Sequence, residues 1–101
     1  IYSAIGQMTE TFTKSDSKNK SVVLLEYPRK GIWAVGFATK ENEGIIRKKV
    51  EEDIINVFVP TTPNPTSGFL LMVPKKELIY LDVSFEQASK FIVSAGTTNI
   101  N

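Results

Sequence analysis

Residues 57–74 constrain this chain more than any other stretch: Val-Phe-Val-Pro-Thr-Thr-Pro-Asn-Pro-Thr-Ser-Gly-Phe-Leu-Leu-Met-Val-Pro. Two apolar runs flank a loop that holds Pro60, Pro63 and Pro65. Each proline fixes its φ at about −65° and removes a backbone donor. The residues ahead of them, Val59, Thr62 and Asn64, are pushed toward extended geometry. Such a loop loses little entropy on folding, because its unfolded form is already restricted. The stretch therefore predicts two strands joined by a stiff connection, with Gly68 free to supply a positive φ before the second strand. Two uses of the loop follow from its residue types. It can present the hydroxyl and amide groups of Thr61, Thr62, Asn64, Thr66 and Ser67 to a ligand. It can equally be a rigid connector whose polar side chains cap their own backbone.

The remaining elements arrange themselves around this pair of strands. Residues 21–27 form a β-branched and leucine-rich run, Pro28-Arg29-Lys30-Gly31 is a turn, and residues 32–39 form a second strand. In that second strand Trp33, Val35 and Phe37 share one face, and Ile32, Ala34, Gly36 and Ala38 the other. The small face predicts close cover by a helix or by backbone. Residues 54–59 and 69–73 are nearly continuous in apolar residues, which predicts strands buried on both faces. Residues 40–53 are charged and read as a solvated connection or one helical turn. Pro74-Lys75-Lys76-Glu77 is another turn, and residues 78–81 a short edge segment. Ser84 with Gln87 three residues on is a capping box for a helix over residues 84–95, with Phe85, Ala88, Phe91, Ile92 and Ala95 as its apolar stripe and Gly96 ending it. Ile1, Ile5, Met8 and Phe12 recur at helical spacing, which predicts another helix over residues 1–13. The expected fold is α+β: a mainly antiparallel sheet of four or five strands, able to curl toward a small barrel, covered by an N-terminal and a C-terminal helix in a single domain over residues 1–101.

Composition narrows the function classes. Cysteine and histidine are both absent. Thiolate and imidazole metal sites, disulfides and the common histidine-based catalytic arrangements therefore go with them. No catalytic constellation, metal site or cofactor is expected. A net charge of +1 gives no electrostatic case for nucleic acid. Thr66-Ser67-Gly68 lacks the glycine spacing and lysine of a phosphate loop. Glu26, Arg29 and Lys30 at the hairpin tip are a candidate binding cluster or a surface ion pair. Tyr27 and Trp33 suit stacking on a ligand or packing in the sheet core. Arg47, Lys48 and Lys49 are a basic cluster next to Glu51, Glu52 and Asp53, which cancel most of its attraction for anionic lipid. The candidate binding residues are thus Glu26, Arg29, Lys30, Thr61, Thr62, Asn64, Thr66, Ser67 and Gly68.

Three blocks taken together carry a resemblance. They are Val-Leu-Leu-Glu-Tyr-Pro-Arg-Lys-Gly-Ile-Trp from residue 23 followed by Gly36-Phe37-Ala38-Thr39, the whole of residues 57–74, and Asp-Val-Ser-Phe-Glu-Gln-Ala-Ser-Lys-Phe-Ile from residue 82 with Ser94 and Gly96. They resemble a bacterial membrane-protein family of unknown function that includes the plant CONTINUOUS VASCULAR RING-like proteins. The resemblance implies two transmembrane helices ahead of Ile1 and a soluble domain on the cytoplasmic side of a bacterial inner membrane. It carries over no catalytic or binding residue, and the chain departs from the family pattern chiefly in residues 41–53. A non-enzymatic module for self-association or partner binding is the expected function. A small-ligand or anionic-lipid module built on the residue 61–68 loop and the residue 28–31 turn is the alternative.

Overall fold

A computed structural model of the protein describes residues 21–100. The helix expected over residues 1–13 lies outside the described residues. Among the described residues five strands form one antiparallel sheet: β1 (Val22–Glu26), β2 (Trp33–Glu41), β3 (Ile54–Pro60), β4 (Gly68–Pro74) and β5 (Ile79–Tyr80), in the order β4-β3-β2-β1-β5. A helix, α1 (Ile45–Val50), stands in the β2–β3 connection, and α2 (Phe85–Val93) follows β5. The α+β class, the antiparallel sheet and the C-terminal helix are as the sequence implies. The β2–β3 connection takes the helical alternative.

Chain reach forces the sheet to curl. Pro74 pairs with Ile54, whereas Ile79 pairs with Leu24 on the far edge. Laid flat, those positions are four strand spacings apart, about 19 Å sideways, and well separated along the strands too. The five residue steps between them span about 18 Å at most. The sheet bends to bring its edges toward one another, and Leu78, inside that short link, enters the core with Val23, Leu25, Ile55, Val57 and Val59. The rings of Tyr27, just beyond β1, and Phe69, in β4, lie 6.0 Å apart although two strands separate their elements. The face carrying these residues is therefore concave. The sheet stays open, since β4 and β5 do not pair. A bulge at Thr39, where the β2–β3 register shifts between Ala38 and Lys40, adds local bend.

The small residues of β2 serve this curvature. Ala34 and Ala38 belong to the concave cluster. A Cβ on Gly36 would meet Val57 Cγ1 at 2.7 Å, Phe58 O at 3.1 Å and Val59 Cγ2 at 3.3 Å. The small face is thus closed against side chains and backbone of β3, and the helix takes the opposite, large-residue face. There Ala88 and Ile92 of α2 pack on Val22 and Phe37, with Val35, Phe58 and Phe91 around them. The Phe37 and Phe85 rings sit 4.9 Å apart at 47°, a tilted pair worth about 0.5–1.5 kcal/mol beyond its buried area.

The capping box starts α2 as the sequence implies: Ser84 Oγ accepts from Gln87 N–H and Gln87 Oε1 accepts from Ser84 N–H. The helix ends one residue earlier than Gly96 suggests. Ala95 takes the left-handed conformation at φ 56°, its N–H donating to Ile92 O and that of Gly96 to Phe91 O, the paired bonds of a Schellman motif.

Replacement of Gly36 by alanine drives a methyl group into fully buried Val57. Gly36→Ala is expected to lower stability by about 1–3 kcal/mol, read as an earlier urea midpoint with an unchanged transition slope.

Candidate functional site

The sequence-predicted residues gather at one end of the sheet. The β1–β2 turn and the β3–β4 loop both project there, and the Tyr27–Phe69 ring contact joins them. Their polar groups bond inward. Glu26 carboxylate accepts from Gly31 N–H at 3.0 Å, closing the turn across its own mouth. Arg29 Nη1 donates to Lys30 O. The ion pair among the described residues lies elsewhere, between Arg47 and Asp53 at 3.0 Å. Tyr27 joins the concave core, while Trp33 is 51% exposed on the other face.

The β3–β4 loop is a closed hydrogen-bonded unit. Thr61 N–H donates to Ser67 O at 2.8 Å, and the Thr61 hydroxyl reaches Asn64 O, Ser67 O and Ser67 Oγ. Asn64 Oδ1 accepts from Thr66 N–H at 3.1 Å and from the Thr66 hydroxyl at 2.7 Å, an Asx turn of the kind asparagine favours. The Thr62 hydroxyl donates to Ile92 O in the last turn of α2, a carbonyl that also accepts from Ala95 N–H. That bond ties the loop to the helix. Gly68 is required for a reason other than positive φ, which it does not adopt. A Cβ there would lie 2.2 Å from Val59 O and 2.7 Å from Pro60 Cα, so only glycine lets the two strands meet this closely.

The feature the sequence reading missed is the place of β4 in the sheet. Its apolar run predicts a strand buried on both faces, yet β4 is the edge of the sheet, with Phe69 55%, Leu70 66% and Met72 41% exposed. Its seven residues pair with β3 in unbroken register, Ile54 with Pro74 through to Pro60 with Gly68. None of the seven carries a charge. Natural edge strands are usually blunted by charge, bulges or brevity, and this one has none of those. The missing signal is non-local: an apolar run reads alike whether one neighbouring strand exists or two.

At the opposite end, α1 exposes Ile45, Ile46 and Val50 beside Arg47, Lys48 and Lys49. A shallow depression there is lined by Glu52, Asp53, Lys75 and Lys76. Its mixed charges give no single sign of field. Among the described residues no three acidic side chains converge as a metal site would require.

Comparison with known proteins places the chain in a family. The family described as Protein of unknown function (DUF502) matches residues 1–67. The chain belongs to that family. A plant relative, Protein LIKE COV 2 of Arabidopsis thaliana, is 30% identical over 100 residues, covering 97% of this DUF502 chain and 38% of the relative. The chain thus spans well under half the length of the curated relative that it matches. No solved structure matches it.

Since Thr62 links the β3–β4 loop to α2, Thr62→Val is expected to cost about 1 kcal/mol. The loss should appear as a lower thermal midpoint and as faster amide exchange confined to residues 61–67 and the last turn of α2.

Proposed function

We propose that this DUF502 chain is the soluble domain of a membrane-anchored protein and works without catalysis, as a module for self-association or protein partner binding. The observation that carries the reading is the uncharged, exposed, regularly paired β4 edge. An open edge offers a row of unused backbone donors and acceptors, and strand addition uses main-chain hydrogen bonds for affinity and alternate side chains for specificity. The internal bonding of residues 61–67 and of Glu26 supports the same reading, because those groups are engaged in holding the loops. Anchorage rests on the family resemblance; among the described residues no helix is long and apolar enough to cross a membrane. Tethering to a bilayer raises local concentration, so a weak interface suffices.

A second reading draws on α1. Ile45 is 74% exposed next to Lys48 and Lys49, and an apolar residue beside cations suits an anionic lipid surface. Glu51 and Glu52 oppose it.

Sedimentation of the chain over rising concentration tests the first reading. A mean mass climbing above 11.2 kDa is the expected result. A mass fixed at that value, together with no protein captured by a photo-crosslinker at Leu70 in the membrane-anchored parent, overturns it. Co-flotation with phosphatidylserine vesicles that is abolished by Lys48→Glu with Lys49→Glu, and not by changes in β4, would favour the second reading.

A further inference from the structure

The phase of the β3–β4 ladder shows which β4 groups face outward. Thr61 N–H donates to Ser67 O, and Lys75 N–H donates to Asp53 O. In an antiparallel ladder, hydrogen-bonded pairs alternate with non-bonded ones. With the observed register, Phe69, Leu71 and Val73 bond to β3. Gly68, Leu70 and Met72 therefore turn their N–H and C=O groups to the free edge.

We propose that the occupant of this edge is the β4 edge of a second copy, running antiparallel across a two-fold axis at Leu70 and continuing one sheet through both molecules. The proposal rests on the self-association reading and supplies its partner and register. A closed two-fold contact uses the same patch on both subunits, so the patch must complement itself. This edge does. With Leu70 of one copy opposite Leu70 of the other, Gly68 faces Met72 on either side of the axis. Three donors and three acceptors from each strand are then matched, giving six bonds.

Neighbouring registers also allow six bonds, but in each of them one pair on either side of the axis includes a residue that cannot donate. Centring on Leu71 sets Gly68 opposite Pro74, whose ring stands where a donor should be. Centring on Phe69 sets Met72 opposite Thr66, whose N–H is already held by Asn64 Oδ1. The strand interior has no charge to repel its copy, and like charges directly opposite would destabilise a strand pair. Beyond the strand, Lys75 of each copy falls opposite Pro65 of the other, so the nearest cations do not meet. Leu70 and Met72 stand on the face of the sheet shared with Phe58, where the two copies would cover the exposed apolar surface that each now presents to water.

Because the chain lacks cysteine, disulfide trapping reads the register directly. Two cysteines at position 70 would lie about 5.5 Å apart between Cα atoms across a hydrogen-bonded pair, within disulfide reach. Two at position 72 would be offset by four residues, about 13 Å, and out of reach. Under mild oxidation Leu70→Cys is expected to form a covalent dimer several-fold faster than Met72→Cys, a position that is exposed as well. Leu70→Lys, with an unchanged circular dichroism spectrum, is expected to reduce the sedimenting mass to that of a monomer. If the native chain associates but both cysteine variants link equally or not at all, and Leu70→Lys leaves the mass unaltered, the edge pairing is wrong while self-association stands. A native chain that stays monomeric, with no trapped dimer at position 70, overturns both.

Discussion

The curl of the sheet is the constraint on which the other features depend. It follows from a short link: Pro74 ends one edge strand and Ile79 opens the other, with the three-residue turn Lys75–Glu77 and Leu78 between them. The bend is stabilised by what it encloses. Leu78 is brought over Val23, Val57 and Leu25, which are almost entirely removed from water, and burying an aliphatic side chain of this size stabilises by about 1.5–3 kcal/mol. A bend this tight needs small residues inside it. Ala34, Gly36 and Ala38 provide them, and the outer, splayed face has room for Val35 and Phe37 beneath α2.

The same geometry accounts for the exposed edge. A sheet closed into a barrel has no edges, but this one stops short, with β5 only two residues long. β5 leaves little to pair with. β4 is longer, straight in register and apolar, so the unclosed side of the sheet is concentrated in one strand. Meanwhile the polar residues that first draw the eye, in the proline-rich loop, are committed to keeping the β3–β4 connection rigid and fastened to the end of α2. The loop therefore fixes where β4 begins, and Gly68 lets its first residue press against the backbone of Val59 and Pro60.

Much of this was legible in the residues. The hairpin of β1 and β2, the strand pair around residues 60–68 and the Ser84–Gln87 cap are local, and local patterns specify them. The internal bonding of the loop was one of the two readings its asparagine and threonines allow. What escaped was non-local. Alternation in β2 separates large from small residues but does not say which set lies under a helix. The Phe69-Leu70-Leu71-Met72-Val73 run has the composition of a central strand, and its place at the edge depends on the chain turning away after Pro74. Gly96 is the obvious helix terminator, yet Ala95 takes the left-handed position because the bonds to Phe91 and Ile92 close there. The α1 turn, with no buried residue, has little packing to announce it.

The link between Pro74 and Ile79 works like a drawstring with no slack. Lengthening it would release the curl without touching a single core side chain. The two edges would then drift apart and Leu78 would lose its seat. Inserted residues should therefore be tolerated best in the β2–β3 connection, where α1 buries none of its residues, and worst between β4 and β5.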